Sequence, residues 1–168
     1  MYTPAITGTG IFTPENKISN AELVKSFNAY ADKFNLEHAG QIESGDVAPQ
    51  SHSSEEFIVK ASGIHNRYVI DKEGILDPDV MHPLMRQRED DEPSLMAEMA
   101  LDAAIKALKA AAKTPADIDA VICAASNLER AYPAVSIEIQ ELLGIKGFAF
   151  DMNVACSSAT FGLQLAAD

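Results

Sequence analysis

The chain has 168 residues, 47% hydrophobic and 23% charged, which is enough for a compact domain with a real core. Its net charge of −12, from 25 acidic against 13 basic residues, argues against nucleic acid or an anionic membrane surface as partner, since neutralising phosphates needs a basic face. No apolar run approaches the roughly 18 residues of a membrane helix, and the N-terminus lacks the basic start and apolar stretch of a signal peptide.

Along the chain, "AITGTGIF" (Ala5 to Phe12) reads as a short buried strand ending at Pro14. Its Gly8-Thr9-Gly10 lacks the third glycine and the following helix of a dinucleotide loop, so close backbone packing is the better reading. "ISNAELVKSFNAYADKF" has a helix start: Ser19 and Glu22 fit a capping box, and Ile18 with Leu23 fit the hydrophobic staple around it. That helix is expected to run to about Phe34. Glu37 to Ser54 is polar, with Gly and Ser, and reads as a loop or insertion. A short helix, "SEEFIVKAS", and a strand, "IHNRYVI", follow. Asp71 to Pro93 is a second irregular segment, a solvated excursion whose Met81, Leu84 and Met85 could cover a pocket.

The clearest helix is "SLMAEMALDAAIKALKAAAK", with Ser94 as cap and Leu101, Ile105, Leu108 and Ala112 as its apolar face. Strand "AVICAAS" comes next. Helix "PAVSIEIQELLG" has Pro133 suited to its first turn and Gly144 to its C-terminal cap. "FAFDMNV" is a strand, and "SSATFGLQLAAD" begins another helix. Alternating strands and helices predict an α/β layered domain whose sheet is at least partly parallel. The last helix reaches Asp168 without a stop signal, so the chain reads as a fragment of something longer.

Two cysteines are too few for a disulfide framework, which places the chain in a reducing cytoplasm. They form no CxxC pair, and the four histidines are scattered, so no metal site is expected. Cys123 lies mid-strand among apolar neighbours and reads as structural. Cys156 falls where a strand ends and a helix begins, where free amides and the helix dipole favour a thiolate and could stabilise an oxyanion. Ala155, Ser157, Ser158 and Ala159 beside it are small, so a reacting carbon could approach closely. Position alone leaves a structural thiol and a catalytic nucleophile both open, and the structural thiol is the commoner outcome.

Four segments in order bear on that choice: "MYTPAITGTGIFTPENKISNAEL", "EEFIVKASGIHNRYV", "AYPAVSIEIQELLGIKG" and "AFDMNVACSSATFGLQLA". Through them the sequence resembles β-ketoacyl-[acyl-carrier-protein] synthase III, the initiating condensing enzyme of type II fatty acid synthesis. The resemblance covers most of the chain outside the two irregular segments. It implies a thiolase-like fold, with residues 1–168 supplying most of the N-terminal half of an αβαβα arrangement.

The resemblance also implies a cytoplasmic acyltransferase. In that reading Cys156 is the nucleophile, and its amide is one oxyanion donor. Acyl transfer to Cys156 would be followed by decarboxylating Claisen condensation with malonyl-acyl-carrier protein. No cofactor is implied; coenzyme A or carrier-protein thioesters are substrates, and acyl-carrier protein and a second subunit are partners. Phe57 stands where the family commonly has a tryptophan on the adenine of coenzyme A, and Ala61 where an arginine often meets its phosphates. Both departures imply weakened coenzyme A binding. Tyr132 matches an aromatic that reaches into the partner subunit's acyl pocket, although a packed aromatic before a helix would look the same. The family's histidine and asparagine, which stabilise the carbanion, are expected in the second half, so residues 1–168 alone are expected to be inactive in condensation. Long-chain acyl condensing enzymes, quinolone-type synthases and hydroxymethylglutaryl synthases share a cysteine at this junction. A non-catalytic acyl-binding or dimerisation module is the rival of a different class, and it requires Cys156 to be inert.

Overall fold

A computed structural model describes residues 3–168 and divides them into two compact units. One contains the described residues through Phe12 together with Arg88–Asp168; the other is Thr13–Gln87. Met1 and Tyr2, which open the first of the four matching segments, lie outside the described residues.

The Thr13–Gln87 unit is built on a helix. Strand β1 (Asn16–Ser19) leads into α1 (Asn20–Glu37) through the expected capping box. The Glu22 amide donates to Ser19 Oγ at 3.2 Å, and the Glu22 carboxylate accepts from the Ser19 amide at 2.9 Å. Ile18, fully buried, anchors this corner; burying such a side chain contributes about 1.5–3 kcal/mol. Beyond Phe34, α1 continues through Glu37. A short helix, α2 (Ala39–Glu43), follows where a loop is expected, and it ends at Gly45 with φ +82°. The rest of the polar stretch is clamped to α1 by two asparagines seven residues apart. Asn35 exchanges two hydrogen bonds with the Gln50 backbone (2.8 and 2.9 Å), and Asn28 does the same with Ser53 (2.8 and 3.2 Å). Side-chain amides thus satisfy backbone that no ladder pairs.

Helix α3 (Glu55–Ser62), where a short helix is expected, is capped by Ser54 and stopped by Gly63 at φ +69°. Strand β2 (Asn66–Val69) then pairs antiparallel with β1, with Ile18 opposite Arg67. In the second irregular segment one turn, α4 (Glu73–Leu76), forms around Asp71. The Asp71 carboxylate accepts from the amides of Glu73, Gly74 and Leu84. Leu84 and Met85 are exposed.

The other unit is the α/β layer. Segment Ala5–Phe12 is not a strand here: it runs without a ladder partner among the described residues, and Ile6 and Ile11 are exposed. Its glycines explain its course. A Cβ at Gly8 or Gly10 would fall onto the carbonyl oxygens of Ala107 and Ala103, so the segment lies directly against helix α5 (Leu95–Ala110). The packed face of α5 also differs from expectation. Ala97 is buried, while Ala104, Ala107, Leu108 and Ala111 line a cavity of about 320 Å³ with Val121 and Ile139. Ile105 and Ala112 face solvent. The small alanines let backbone and sheet approach, which displaces the inward face from the one marked by the larger side chains.

A single 3-10 turn (Pro115–Asp117) leads to β3 (Ala120–Ala124), then α6 (Val135–Leu143), β4 (Phe148–Met152) and α7 (Ser158–Ala167). β3 and β4 are parallel, with Cys123 opposite Asp151, as the alternating pattern predicts. Ala97, Val135 and Ile139 form the buried core, and Val121, Cys123 and Leu143 pack on it. Pro133 lies ahead of the helix and not in its first turn. The α6 N-cap is Ala134, which offers no side-chain oxygen, and the first amides are taken from across the layer by Asp151.

Candidate active site

Two loops leave the carboxyl ends of β3 and β4, which are parallel neighbours, and so emerge from the same edge of the sheet. In open α/β sheets that edge is where ligands bind. The loop after β4 carries Cys156 and the loop after β3 carries Tyr132.

After Met152 the chain makes a tight turn through Asn153, Val154 and Ala155 before α7. Ala155 has φ +48°, in the left-handed region that a Cβ disfavours by about 1–2 kcal/mol. Polar side chains hold it there. Asn153 Oδ1 accepts from the Ala155 amide at 2.9 Å, and Asn153 Nδ2 donates to the Ser126 carbonyl at 3.1 Å. Ser158 Oγ accepts from the Val154 amide at 2.8 Å. The same oxygen lies 2.8 Å from the Ala155 carbonyl and 3.1 Å from that of Ala125, either of which can take its proton. Ser158 is almost wholly buried. The Cys156 thiol, by contrast, is exposed.

Ser157 is the N-cap of α7, and among the described residues no side chain caps that helix. Cys156 therefore sits immediately before a helix N-terminus without a side-chain cap, where the Ser157 and Ser158 amides donate to the Val154 and Ala155 carbonyls at 3.0 and 3.2 Å. Gly162, one turn on, brings α7 against β3, where a Cβ would meet that of Ala124 at 2.9 Å. The rest of α7 is not buried: Phe161, Leu163 and Leu165 are exposed, because only the Ser158–Gly162 face meets the strand.

Cys123 has the opposite environment. It is half-buried; desolvation, and then the charge of Asp151 opposite it, push its thiol up, which favours the protonated form. Asp151 meanwhile accepts from the Val135 and Ser136 amides at 2.9 and 2.8 Å, so one β4 side chain caps α6 and shapes the loop that precedes it. Tyr132, in that loop, is joined to Pro133 by a cis peptide and is 91% exposed. It is not a packed aromatic.

Phe57 belongs to the Thr13–Gln87 unit. It stands four residues before Ala61 on α3, and both are exposed, Phe57 at 65%. They thus share one open helical face. Among the described residues no group of three or more His, Cys, Asp or Glu could hold a metal ion, and no helix is long and apolar enough to cross a membrane. Sequence reasoning missed Asn153, Ser158 and Asp151. An Asn two residues before a small residue is a turn signal that could have found the first; Ser158 bonds both locally, to Val154 and Ala155, and across to Ala125, and Asp151 acts only across space.

No protein-family model matches the chain. It is 52% identical over 143 residues to β-ketodecanoyl-[acyl-carrier-protein] synthase of Pseudomonas aeruginosa, covering 85% of this chain and 41% of that protein. It is 34% identical over 126 residues to β-ketoacyl-[acyl-carrier-protein] synthase III of Chelativorans, covering 74% of this chain and 33% of that one. The chain thus spans about two fifths or less of the length of these curated relatives. Among solved structures, 3-oxoacyl-[acyl-carrier-protein] synthase III of Aquifex aeolicus superposes with a TM-score of 0.64 at 23% identity, over 98% of this chain and 39% of that chain. OleA of Xanthomonas campestris gives 0.67 at 17% identity, over 99% and 40%. The fold is the thiolase-like fold of these condensing enzymes.

Proposed function

The chain belongs to the β-ketoacyl-[acyl-carrier-protein] synthase III family, and from that premise we propose that it carries the nucleophile of a decarboxylating condensation. The Cys156 thiolate attacks the carbonyl carbon of an acyl thioester. The tetrahedral intermediate collapses, the donor thiol leaves with the proton, and the acyl group stays on sulfur. Malonyl-acyl-carrier protein then loses carbon dioxide. The carbanion left behind attacks the acyl-cysteine carbonyl, and the thiolate departs to give the β-ketoacyl product. The chain supplies a small-residue approach and a thiol placed immediately before the N-terminus of α7, where the helix dipole favours negative charge.

One observation carries this reading: of the two cysteines, Cys156 is exposed at the turn into α7, while burial and Asp151 hold Cys123 as a thiol. A non-catalytic module would have no use for that contrast.

The name of the Pseudomonas relative sharpens the substrate. A β-ketodecanoyl product contains two carbons from malonate, so the acyl donor has eight. We assign this chain a medium-chain acyl donor. Its α3 face, with Phe57 and Ala61, fits a donor held less through coenzyme A phosphates than through its acyl chain. Acyl-carrier protein is the second substrate's carrier, and for Tyr132, exposed in the loop after β3, we propose a contact with a second subunit's acyl pocket.

The test is to incubate the chain with thioesters of graded length and map the acyl group by peptide mass spectrometry. Acylation of Cys156, fastest for the eight-carbon chain and abolished in Cys156→Ala, is expected. Acyl groups on Cys123, or on neither cysteine, would overturn the proposal.

A further inference from the structure

The geometry points to Asn153 and Ser158 as positioning residues for Cys156, an assignment that rests on the reading of Cys156 as the nucleophile. Two side chains grip the turn in the same way. Each accepts from one amide of the turn, Asn153 from Ala155 and Ser158 from Val154. Each also reaches a carbonyl where the chain leaves β3: Asn153 that of Ser126, Ser158 that of Ala125. The turn that presents Cys156 is thereby referenced to the neighbouring strand as well as to its own.

Such a clasp is needed because Ala155 has no intrinsic preference for its left-handed conformation. Released, it would relax toward negative φ, and the next residue's backbone and side chain would swing with it. Ser158 is 3% exposed, so water has little access to its bonds. Neither side chain needs to touch substrate; both act through the direction in which Cys156 leaves the turn.

Two probes separate aim from access in the 168-residue chain. Iodoacetamide reads access to a thiol, and acyl transfer from S-octanoyl-N-acetylcysteamine reads alignment of sulfur with the helix amides. Asn153→Ala and Ser158→Ala are expected to slow acyl transfer to Cys156 by about two- to ten-fold, the size of one hydrogen bond. Iodoacetamide labelling of Cys156 should stay unchanged, and labelling of the half-buried Cys123 should not rise. Adding Ala155→Gly to Asn153→Ala should restore part of the rate, because glycine adopts positive φ without the clasp. Unchanged acyl transfer in both variants would overturn the assignment. So would a parallel rise in Cys123 labelling, which would mean that the two side chains only hold the fold. No transfer in the unaltered chain would overturn the reading of Cys156 itself, and the assignment with it.

Discussion

Glu22 shows how much one exposed side chain can organise. Its carboxylate pairs with Lys72 at 2.5 Å and closes the capping box on Ser19. The Lys72 hydrogen bond, then those from Ser19, lower its pKa from 4.5 to about 2. A carboxyl whose pKa falls on folding contributes stability that is complete above the unfolded value and lost as pH drops through the folded one. The contribution is therefore full above about pH 4.5 and gone near pH 2. Glu22→Gln should flatten this part of the acid-unfolding curve, followed by circular dichroism, and leave the curve near neutrality parallel to the parent. Ala61 supports a second expectation at this scale. It shares an open face with Phe57, so Ala61→Arg adds a guanidinium beside the aromatic. One charge-assisted phosphate contact is worth about 1.5–3 kcal/mol. Acyl-coenzyme A affinity measured by calorimetry should rise roughly ten- to a hundred-fold. No gain would remove α3 from the donor site.

At the scale of elements, two helix starts in the α/β unit, those of α5 and α6, depend on carboxylates from elsewhere in the chain. The first amides of α5 are taken by Glu129, at 3.2 and 2.9 Å, while Glu138 accepts from the Ser94 amide and hydroxyl. Asp151 does the same for α6, which has no cap of its own. Asp151→Ala leaves two amides without acceptors and should cost about 1–3 kcal/mol, read as a lower denaturant midpoint at unchanged slope. It should also make Cys123 easier to deprotonate, since one of the two causes that raise its pKa is then gone. Gly10 tests the packing of the first segment on α5. In Gly10→Ala the new methyl meets backbone, which cannot rotate away, so the segment must lift. A loss of about 1–3 kcal/mol is expected, with faster amide exchange confined to Gly8–Phe12 and the facing turns of α5.

At the scale of the molecule, the α/β unit presents an open apolar groove of about 1030 Å³, lined by Ile122, Phe148, Phe150, Leu163 and Leu165. Phe148 and Phe150 stack with centroids 6.2 Å apart, and Leu163 is 60% exposed. Apolar surface of this kind binds hydrophobic dyes. The native chain should enhance anilinonaphthalene sulfonate fluorescence, and Phe148→Lys with Leu163→Lys should abolish the enhancement without changing the far-ultraviolet spectrum. A native chain that leaves the dye dark would mean that the groove is filled in solution.

Local chemistry was enough for the elements that carry their own signals. The Ser19 capping box, the Ser94 cap and the glycine stop at Gly144 all stand where residue type places them. The parallel pair β3–β4 and the position of Cys156 before a helix were legible for the same reason: apolar runs of strand length alternate with helical periodicity. Tertiary structure decided what depends on partners distant in sequence. Ala5–Phe12 has strand composition, but composition supplies no ladder, and its glycines take it against α5. The polar stretch after α1 is ordered by Asn28 and Asn35, and the start of α6 by a strand aspartate sixteen residues from Val135. The left-handed Ala155 and its clasp could not be read from small residues beside a cysteine, because alanine has no local preference for that conformation and the Asn153 and Ser158 contacts reach the chain just past β3.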